Sequence, residues 1–148
     1  MIENVETFGN KNNFKTSGQD IVIKNSLSRQ AKRQRRSDGT SVEGNGITVV
    51  GGTTRAINIT FVDNEDHDIR IYAGGNLRLE NSIVSRRIAG GMLFENNGAF
   101  SSHRVLWYSA KTDYSSIPFS LTHFKADPKF VDWTTGNYRL KETSLAIN

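Results

Sequence analysis

Short pairs of apolar residues, separated by one residue, recur along the chain, and Gly, Asn or Asp bounds each pair. This alternation is typical of β-strands, because successive side chains of a strand point to opposite faces. A first series, at spacings of 22 and 23 residues, consists of Ile47/Val49, Ile69/Ile71 and Met92/Phe94. A second series consists of Ile21/Ile23, Ile57/Ile59, Leu77/Leu79 and Val105/Trp107. Two strands in each repeat predict a solenoid.

Asparagines recur in the same register as the apolar pairs. The pattern of residues 20–27 returns at residues 76–83, with an Asn-Ser pair at the same place in both. We interpret these asparagines as turn residues, because an Asn side chain hydrogen-bonds nearby backbone and tolerates left-handed conformations. A β-sandwich also has strands at regular intervals, but it does not require one register to repeat. The sequence therefore favours the solenoid.

One insertion interrupts the rhythm. Residues 28–45 lengthen a single repeat and contain a basic run, residues 29–36, with five positive charges. The net charge of the whole chain is +4, so the remainder carries −1. We expect a solvated loop; contact with an anionic polysaccharide and nucleic-acid binding are the alternatives. Nucleic acid is disfavoured because the run contains no aromatic residue.

The last 22 residues, DPKFVDWTTGNYRLKETSLAIN, carry a recognisable motif. They resemble the signature DPxFVDxxxGdYrLkxxSpAId at the end of right-handed parallel β-helix proteins of the pectate-lyase-like, polysaccharide-active superfamily. Lys129, Trp133 and Leu145 depart from that signature. The resemblance implies β-helix coils over residues 1–109 and an irregular segment with a cap over residues 110–148. We expect Phe130 and Trp133 to contribute to a lid over the open apolar end of the last coil.

The same resemblance implies a function in polysaccharide recognition. We expect the C-terminal fragment of a polyuronate lyase-like or related carbohydrate-active protein, secreted or on the cell surface. The alternatives are a non-catalytic adhesion or tailspike-like β-helix that binds glycans and, as a minor one, nucleic-acid binding through the basic loop. Because Met1 falls within a coil, we also expect missing upstream coils, or an oligomer that covers the N-terminal face.

Polysaccharide lyases with this fold, as the resemblance implies, remove a proton from a uronate with a Lys or Arg base. Ca²⁺ or arginine offsets the charge of the uronate carboxylate. Ca²⁺ takes roughly six to eight oxygen ligands, so Ca²⁺ is the candidate cofactor for an acidic turn. The predicted metal ligands are Asp63, Glu65, Asp66 and Asp68. A solvated turn is the alternative.

Basic side chains near the strands are the candidates for binding an anionic sugar, because arginine pairs with carboxylates through two hydrogen bonds. The predicted substrate-binding residues are Arg86, Arg87, His103, Arg104 and Lys111. The sequence assigns no catalytic residue among them, and whether the chain is an enzyme stays open at this point.

Composition excludes some alternatives. The chain has no cysteine, which excludes disulfides and thiolate metal sites. No apolar run approaches the roughly 20 residues of a membrane span. The first ten residues do not have the pattern of a signal peptide, so we expect any export signal to lie outside this chain.

Overall fold

The computed structural model describes residues 1–39, 41–88, 92–110 and 123–147. Regular structure in these ranges is all β-strand, and they contain no helix of the length and apolar character that a membrane crossing requires. In chain order the strands are β1 (Ile2–Glu3), β2 (Glu6–Phe8), β3 (Asn12–Thr16), β4 (Ile21–Arg29), β5 (Gln34–Arg35), β6 (Ser41–Val42), β7 (Asn45–Val49), β8 (Gly52–Val62), β9 (His67–Ile71), β10 (Gly75–Arg86), β11 (Met92–Asn96), β12 (Ala99–Ser109), β13 (His123–Lys125), β14 (Phe130–Asp132) and β15 (Asn137–Leu140).

Two parallel sheets contain most of these strands. Sheet 1 has the order β1-β4-β8-β10-β12-β13, with β2 also paired to β4, and sheet 2 has the order β11-β9-β7-β3. Every pairing within the two sheets is parallel. From β7 to β12 the chain alternates between sheet 2 and sheet 1, so each repeat adds one strand to each sheet. The prediction of an all-β chain is confirmed, and the strands of its two main sheets are parallel.

The long strands of sheet 1 bend at one residue, which divides each of them into a first and a second half. This residue has a positive φ in four neighbouring strands: 48° at Asn25, 56° at Asn58, 48° at Asn81 and 52° at Arg104. Asn4, with a φ of 56°, has the same place between β1 and β2. Asn reaches this left-handed region at lower cost than most residues. We call these five residues the corner ladder.

The bend explains one error in the second apolar series. Leu79 is aligned with Ala56, whereas Ile59 is aligned with Ser26 of the second half of β4. The pair Ile57/Ile59 therefore spans the bend. The inward-facing Ala56 and Ile59 are three residues apart, so the left-handed residue interrupts the period of two on which the prediction relied. The predicted recurrence of the asparagines, in contrast, is confirmed by the pairing of β4, β8 and β10.

The main core lies between the two sheets. It consists of Phe14, Ile23, Ile47, Val49, Ala56, Ile59, Phe61, Ile69, Ile71, Leu77, Leu79, Val84, Leu93, Phe94, Val105 and Trp107. Near β12 the core is aromatic: the ring centroids of Phe94 and Phe100 are 4.6 Å apart, and Phe94 meets Trp107 edge-on at 6.1 Å. Such ring contacts stabilise a pair beyond its buried area.

A second apolar cluster lies on the outer face of sheet 1. It consists of Val62, Ile83, Leu106 and Phe130, with Leu27, Tyr108, Ala126, Tyr138, Leu140 and Ala146 packed against it. These residues come from β4, β8, β10 and β12 and from residues 126–147, the C-terminal segment. The segment therefore crosses the side of the sheet, not the end of the last repeat. The prediction of an end lid is corrected, because the second halves present outward apolar side chains that must be covered.

Arg87 contacts both this segment and sheet 1 and stabilises their packing. Its guanidinium lies 5.2 Å from the ring centroids of Tyr108 and Trp133 and 5.7 Å from that of Phe130. Its Nη2 also donates to Asp127 at 2.9 Å. Cation–π contacts of this kind contribute about 0.5–2 kcal/mol each, according to their exposure. Trp133 keeps 39% of its surface exposed, so its role is to pack on Arg87 at the edge of the cluster.

Replacing Phe130 tests the course of the C-terminal segment. Phe130→Ala should lower the free energy of unfolding by about 3 kcal/mol, because a nearly buried ring is removed. Hydrogen exchange should accelerate in the second halves of β8, β10 and β12 together. Val131→Ala, at a side chain that is 44% exposed, is the control and should change stability by less than about 0.5 kcal/mol. Exchange that accelerates only in β12 and β13 would instead support an end lid.

Candidate functional site

The basic insertion forms a hairpin in which β5 pairs with β6 in antiparallel orientation. Two of its cations neutralise the acidic turn that follows β8. Lys32 Nζ lies 2.8 Å from Glu65 Oε1, and Arg33 Nη2 lies 2.6 Å from Asp66 Oδ1. The side-chain hydrogen bond from Lys32 is the main reason that the pKa of Glu65 falls below its usual value.

The other arginines of the run differ in their surroundings. Arg29 pairs with Glu6 at 2.6 Å, and its guanidinium lies 4.4 Å from the centre of the Phe8 ring. Arg35 and Arg36 are exposed at the hairpin tip and make no side-chain hydrogen bond or ion pair with the described part of the chain. The hairpin therefore presents two unpaired charges, fewer than its sequence suggests.

The acidic turn holds its carboxylates in separate environments. Asp63 Oδ1 accepts hydrogen bonds from the backbone N–H groups of Arg87 and Ile88, at 2.6 and 3.4 Å. Glu65 and Asp66 pair with the hairpin, and Asp68 points inward. Within the four described ranges, no group of three or more His, Asp or Glu side chains is placed to hold a metal ion. Calcium binding at this turn stays a prediction, and it would have to displace these partners.

Asp68 forms a fully buried ion pair with Arg86. Arg86 Nη2 lies 3.0 Å from Asp68 Oδ2, and neither side chain has exposed surface. Asn64 Nδ2 donates to the other carboxylate oxygen at 2.7 Å. Burial raises the pKa of Asp68 to about 6, against the opposing charge of Arg86. Arg86 and Asp68 thus lie in the interior, so sugar binding by Arg86 and Ca²⁺ binding by Asp68 stay predictions that would require breaking this pair.

The outer face of sheet 2 carries a closed polar network around His67. His67 Nε2 lies 3.0 Å from Glu95 Oε2, and Nδ1 lies 3.3 Å from Asp66 Oδ2. Arg70 pairs with Glu95 at 2.9 Å. Burial lowers the pKa of His67, although both carboxylates act in the opposite direction. Tyr72 extends the network, because its ring lies 4.9 Å from the Arg70 guanidinium and its hydroxyl forms a 3.3 Å hydrogen bond with Glu43. The Nε of Arg70 makes no hydrogen bond, so the contact of Arg70 with Glu95 is an ion pair alone.

The outer face of the first half of sheet 1 is different, because the side chains of Lys24, Arg78 and Arg104 make no hydrogen bond or ion pair in the part of the chain that the structure describes. Two rows of outward side chains run across its strands, and the parallel pairing sets them in register. One row is Val22, Arg55, Arg78 and Ser101, and the other is Lys24, Ile57, Glu80 and His103. We call these eight residues together with Arg104, which follows His103 at the corner, the arginine face.

Two arginines of this face stand directly side by side. Arg55 and Arg78 are paired positions of β8 and β10, and like charges on adjacent strands repel. Glu80 forms hydrogen bonds with only one of them: its carboxylate accepts two from Arg55, at 3.0 and 2.8 Å, whereas Arg78 acts on Glu80 through its charge alone. Arg55 lowers the pKa of Glu80 mainly through these hydrogen bonds. Arg78 makes no side-chain hydrogen bond or ion pair within the described residues.

The predicted substrate-binding residues separate into three groups. His103 and Arg104 are exposed and belong to the arginine face. Arg86 is buried, and Arg87 is enclosed by the C-terminal segment, so neither lies on that face. Lys111 falls outside the described residues.

Sequence reasoning missed Lys24, Arg55 and Arg78. The signal was present for two of them, because Lys24 follows Ile23, and Arg78 lies between Leu77 and Leu79. A residue between two inward apolar positions of a strand must point outward. Arg55 gave no such signal, because its neighbours Thr54 and Ala56 are not a conspicuous apolar pair.

The chain matches no protein-family model, no curated protein and no solved structure. The interpretation of the site therefore depends on the geometry of its side chains.

A double substitution tests whether the buried ion pair is structural. Arg86→Met should lower the free energy of unfolding by about 3–5 kcal/mol, because it leaves Asp68 buried without its partner. Arg86→Met combined with Asp68→Leu should recover most of that loss. Urea denaturation of the two variants measures both effects. If the double variant is as unstable as Arg86→Met, the loss of stability does not come from leaving Asp68 buried without its partner.

The pH dependence of stability tests the environment of His67. Its folded pKa lies below the unfolded value of about 6.5, so the unfolded chain binds the proton more tightly. The stability contributed by neutral His67 is therefore present above about pH 6.5 and is lost as the pH falls. His67→Gln should remove this part of the loss, measured as the difference between wild-type and variant denaturation from neutral to mildly acidic pH. If the stability of the wild type and of His67→Gln changes with pH in the same way, the pKa of His67 is not lowered in the folded protein.

Proposed function

We propose that the chain is part of a right-handed parallel β-helix that binds an anionic polysaccharide across the arginine face. The observation that carries this proposal is the pair Arg55 and Arg78, which stand side by side while only Arg55 is hydrogen-bonded to a carboxylate, that of Glu80. A bound carboxylate or sulfate would remove their repulsion and occupy the open guanidinium of Arg78. Arginine suits this task because its planar donors match a carboxylate or sulfate in pairs.

The distribution of cations over the face supports a polymeric ligand. Adjacent strands of a sheet are about 4.8 Å apart, so Arg55 and Arg78, which share a row, stand at a distance comparable to a sugar unit of an extended chain. Lys24 lies in the other row and Arg104 at the corner, so the four cations occupy four neighbouring strands at different places along them. A polyanion that crosses the strands would meet a cation on each of them, at uneven distances.

Other surfaces are less suitable. The acidic turn neutralises two cations of the basic hairpin, and only Arg35 and Arg36 at its tip are unpaired within the described residues. The network around His67 is closed on itself. Side chains on a paired sheet are also held more exactly than those on a hairpin tip. A polysaccharide-binding role fits a secreted or cell-surface location, which belongs to the same proposal, and cleavage of the bound chain stays a prediction.

The experiment compares two variants that remove the same charge from different places. Arg55→Ser/Arg78→Ser should weaken binding of polygalacturonate or chondroitin sulfate at least about tenfold, because loss of charged hydrogen bonds costs about 1.5–3 kcal/mol each. Arg35→Ser/Arg36→Ser should change the affinity less than about threefold. Calorimetric titration at several salt concentrations measures both, and wild-type binding should weaken with added salt. Neutral dextran and duplex DNA are the comparison polymers.

Three results would reject the proposal. The first is loss of binding in the hairpin variant with retention in the Arg55→Ser/Arg78→Ser variant. The second is equal binding of dextran and the anionic polymers. The third is tighter binding of DNA than of either polysaccharide. Following the titrations by the absorbance of unsaturated sugar products tests the cleavage prediction at the same time.

A further inference from the structure

A groove runs between the corner ladder and the C-terminal segment. It consists of two adjoining hollows of about 420 and 600 Å³, whose walls share Asn58 and Thr60. One hollow extends to Arg104 and the other to Asn4. The groove therefore passes all five positions of the corner ladder, a distance of about 19 Å at the spacing of adjacent strands. We call it the corner groove.

The corner groove combines an apolar floor with polar rims. Thr60, Ile83 and Leu106 of the second halves line it, and Leu140 of β15 lines the opposite side. Phe124, which is 44% exposed, lies at the end next to Arg104. A sugar unit has the matching character, because its C–H faces pack on apolar side chains while its hydroxyl groups require hydrogen-bonding partners.

The amides of the corner ladder are only partly used within the protein. Asn58 Nδ2 donates to Asn25 Oδ1 at 2.9 Å, and Asn25 Nδ2 donates to Glu3 Oε1 at 3.1 Å. This chain of hydrogen bonds stops at Asn58. In the described part of the protein, the side chains of Asn81 and Arg104 make no hydrogen bond or ion pair. Donors and acceptors are therefore available at the end of the groove that adjoins the arginine face.

Arg104 is the least expected member of the corner ladder. The other four positions have Asn, which accepts a positive φ more readily than residues without a short polar side chain. Arg104 has a φ of 52°, because the shared register of the strands places the bend at its position. A residue of this type held in the left-handed region is a reason to look for a function of the side chain. Its position between the arginine face and the corner groove gives it contact with both.

We infer that the corner groove is a second subsite of the same polysaccharide surface. This inference rests on the proposed function. The bound chain passes from the arginine face over the bend at Arg104 and lays its next sugar units in the groove. Arg104 binds a carboxylate or sulfate at the bend, and Asn81 binds hydroxyl groups. The ligand class is a linear glycan with repeated acidic groups that is longer than the arginine face alone accommodates.

Oligomer length separates the two subsites. Wild-type affinity should rise with the length of oligogalacturonates, and chondroitin sulfate oligomers show whether sulfate serves as well as carboxylate. Arg104→Asn should weaken binding of long oligomers at least about tenfold and of short oligomers less, because Arg104 belongs to the arginine face as well as to the groove. Its melting temperature should stay the same or rise by a few degrees, because Asn suits the bend better. Thr60→Phe, which fills the groove, should have the same effect on length dependence.

The outcomes distinguish failure of this inference from failure of the proposed function. Loss of all oligomer binding in Arg55→Ser/Arg78→Ser, with length dependence unchanged in Arg104→Asn and Thr60→Phe, would overturn the groove and retain the arginine face. Equal weakening of short and long oligomers by Arg104→Asn would place Arg104 in the arginine face alone and also overturn the groove. Unaltered binding in Arg55→Ser/Arg78→Ser would reject the proposed function itself.

Discussion

The structure depends on parallel backbone pairing that keeps one register from strand to strand. Because every strand of sheet 1 is held about 4.8 Å from the next, a residue at one position lies beside its equivalents in the neighbouring strands. The bend must then occur at the same place in each strand, and the corner ladder satisfies this with left-handed residues. Because of this register, side chains at equivalent positions of neighbouring strands form rows across the sheet. Inward rows form the core, and outward rows must be either covered or solvated.

Many charged groups of the protein are held in ion pairs with partners in the described part of the chain, whereas several cations of the arginine face are not. Asp68 with Arg86, Arg87 with Asp127, and the network around His67 are satisfied by partners in the protein. They stabilise the turns and fasten the C-terminal segment over apolar side chains. The arginine face lacks this balance, because its register places arginines beside each other. This is the surface to which the proposed function assigns an anionic ligand.

The sequence predicted the strands and their parallel repetition because both depend on local alternation and on asparagines in one register. It did not predict that successive inward-facing positions are three residues apart at the bend instead of two. The left-handed conformation of Asn58, between Ala56 and Ile59, cannot be recognised from the alternation of apolar and polar residues. The long-range contacts of the C-terminal segment were equally hidden. Among the site residues, His103 and Arg104 are exposed as expected. The interior position of Arg86 could not be predicted from the sequence, because the partner that neutralises it, Asp68, lies 18 residues away.

The most direct test of the account is to map amide chemical shifts of the labelled protein during titration with oligogalacturonate. Binding across the arginine face should concentrate the changes at residues 22–25, 55–58, 78–81 and 101–104, with little change in the hairpin at residues 32–39 or in β7 and β9. Changes concentrated in the hairpin or on the outer face of sheet 2 would contradict it. Such a result would mean that the arginine face does not form the binding surface.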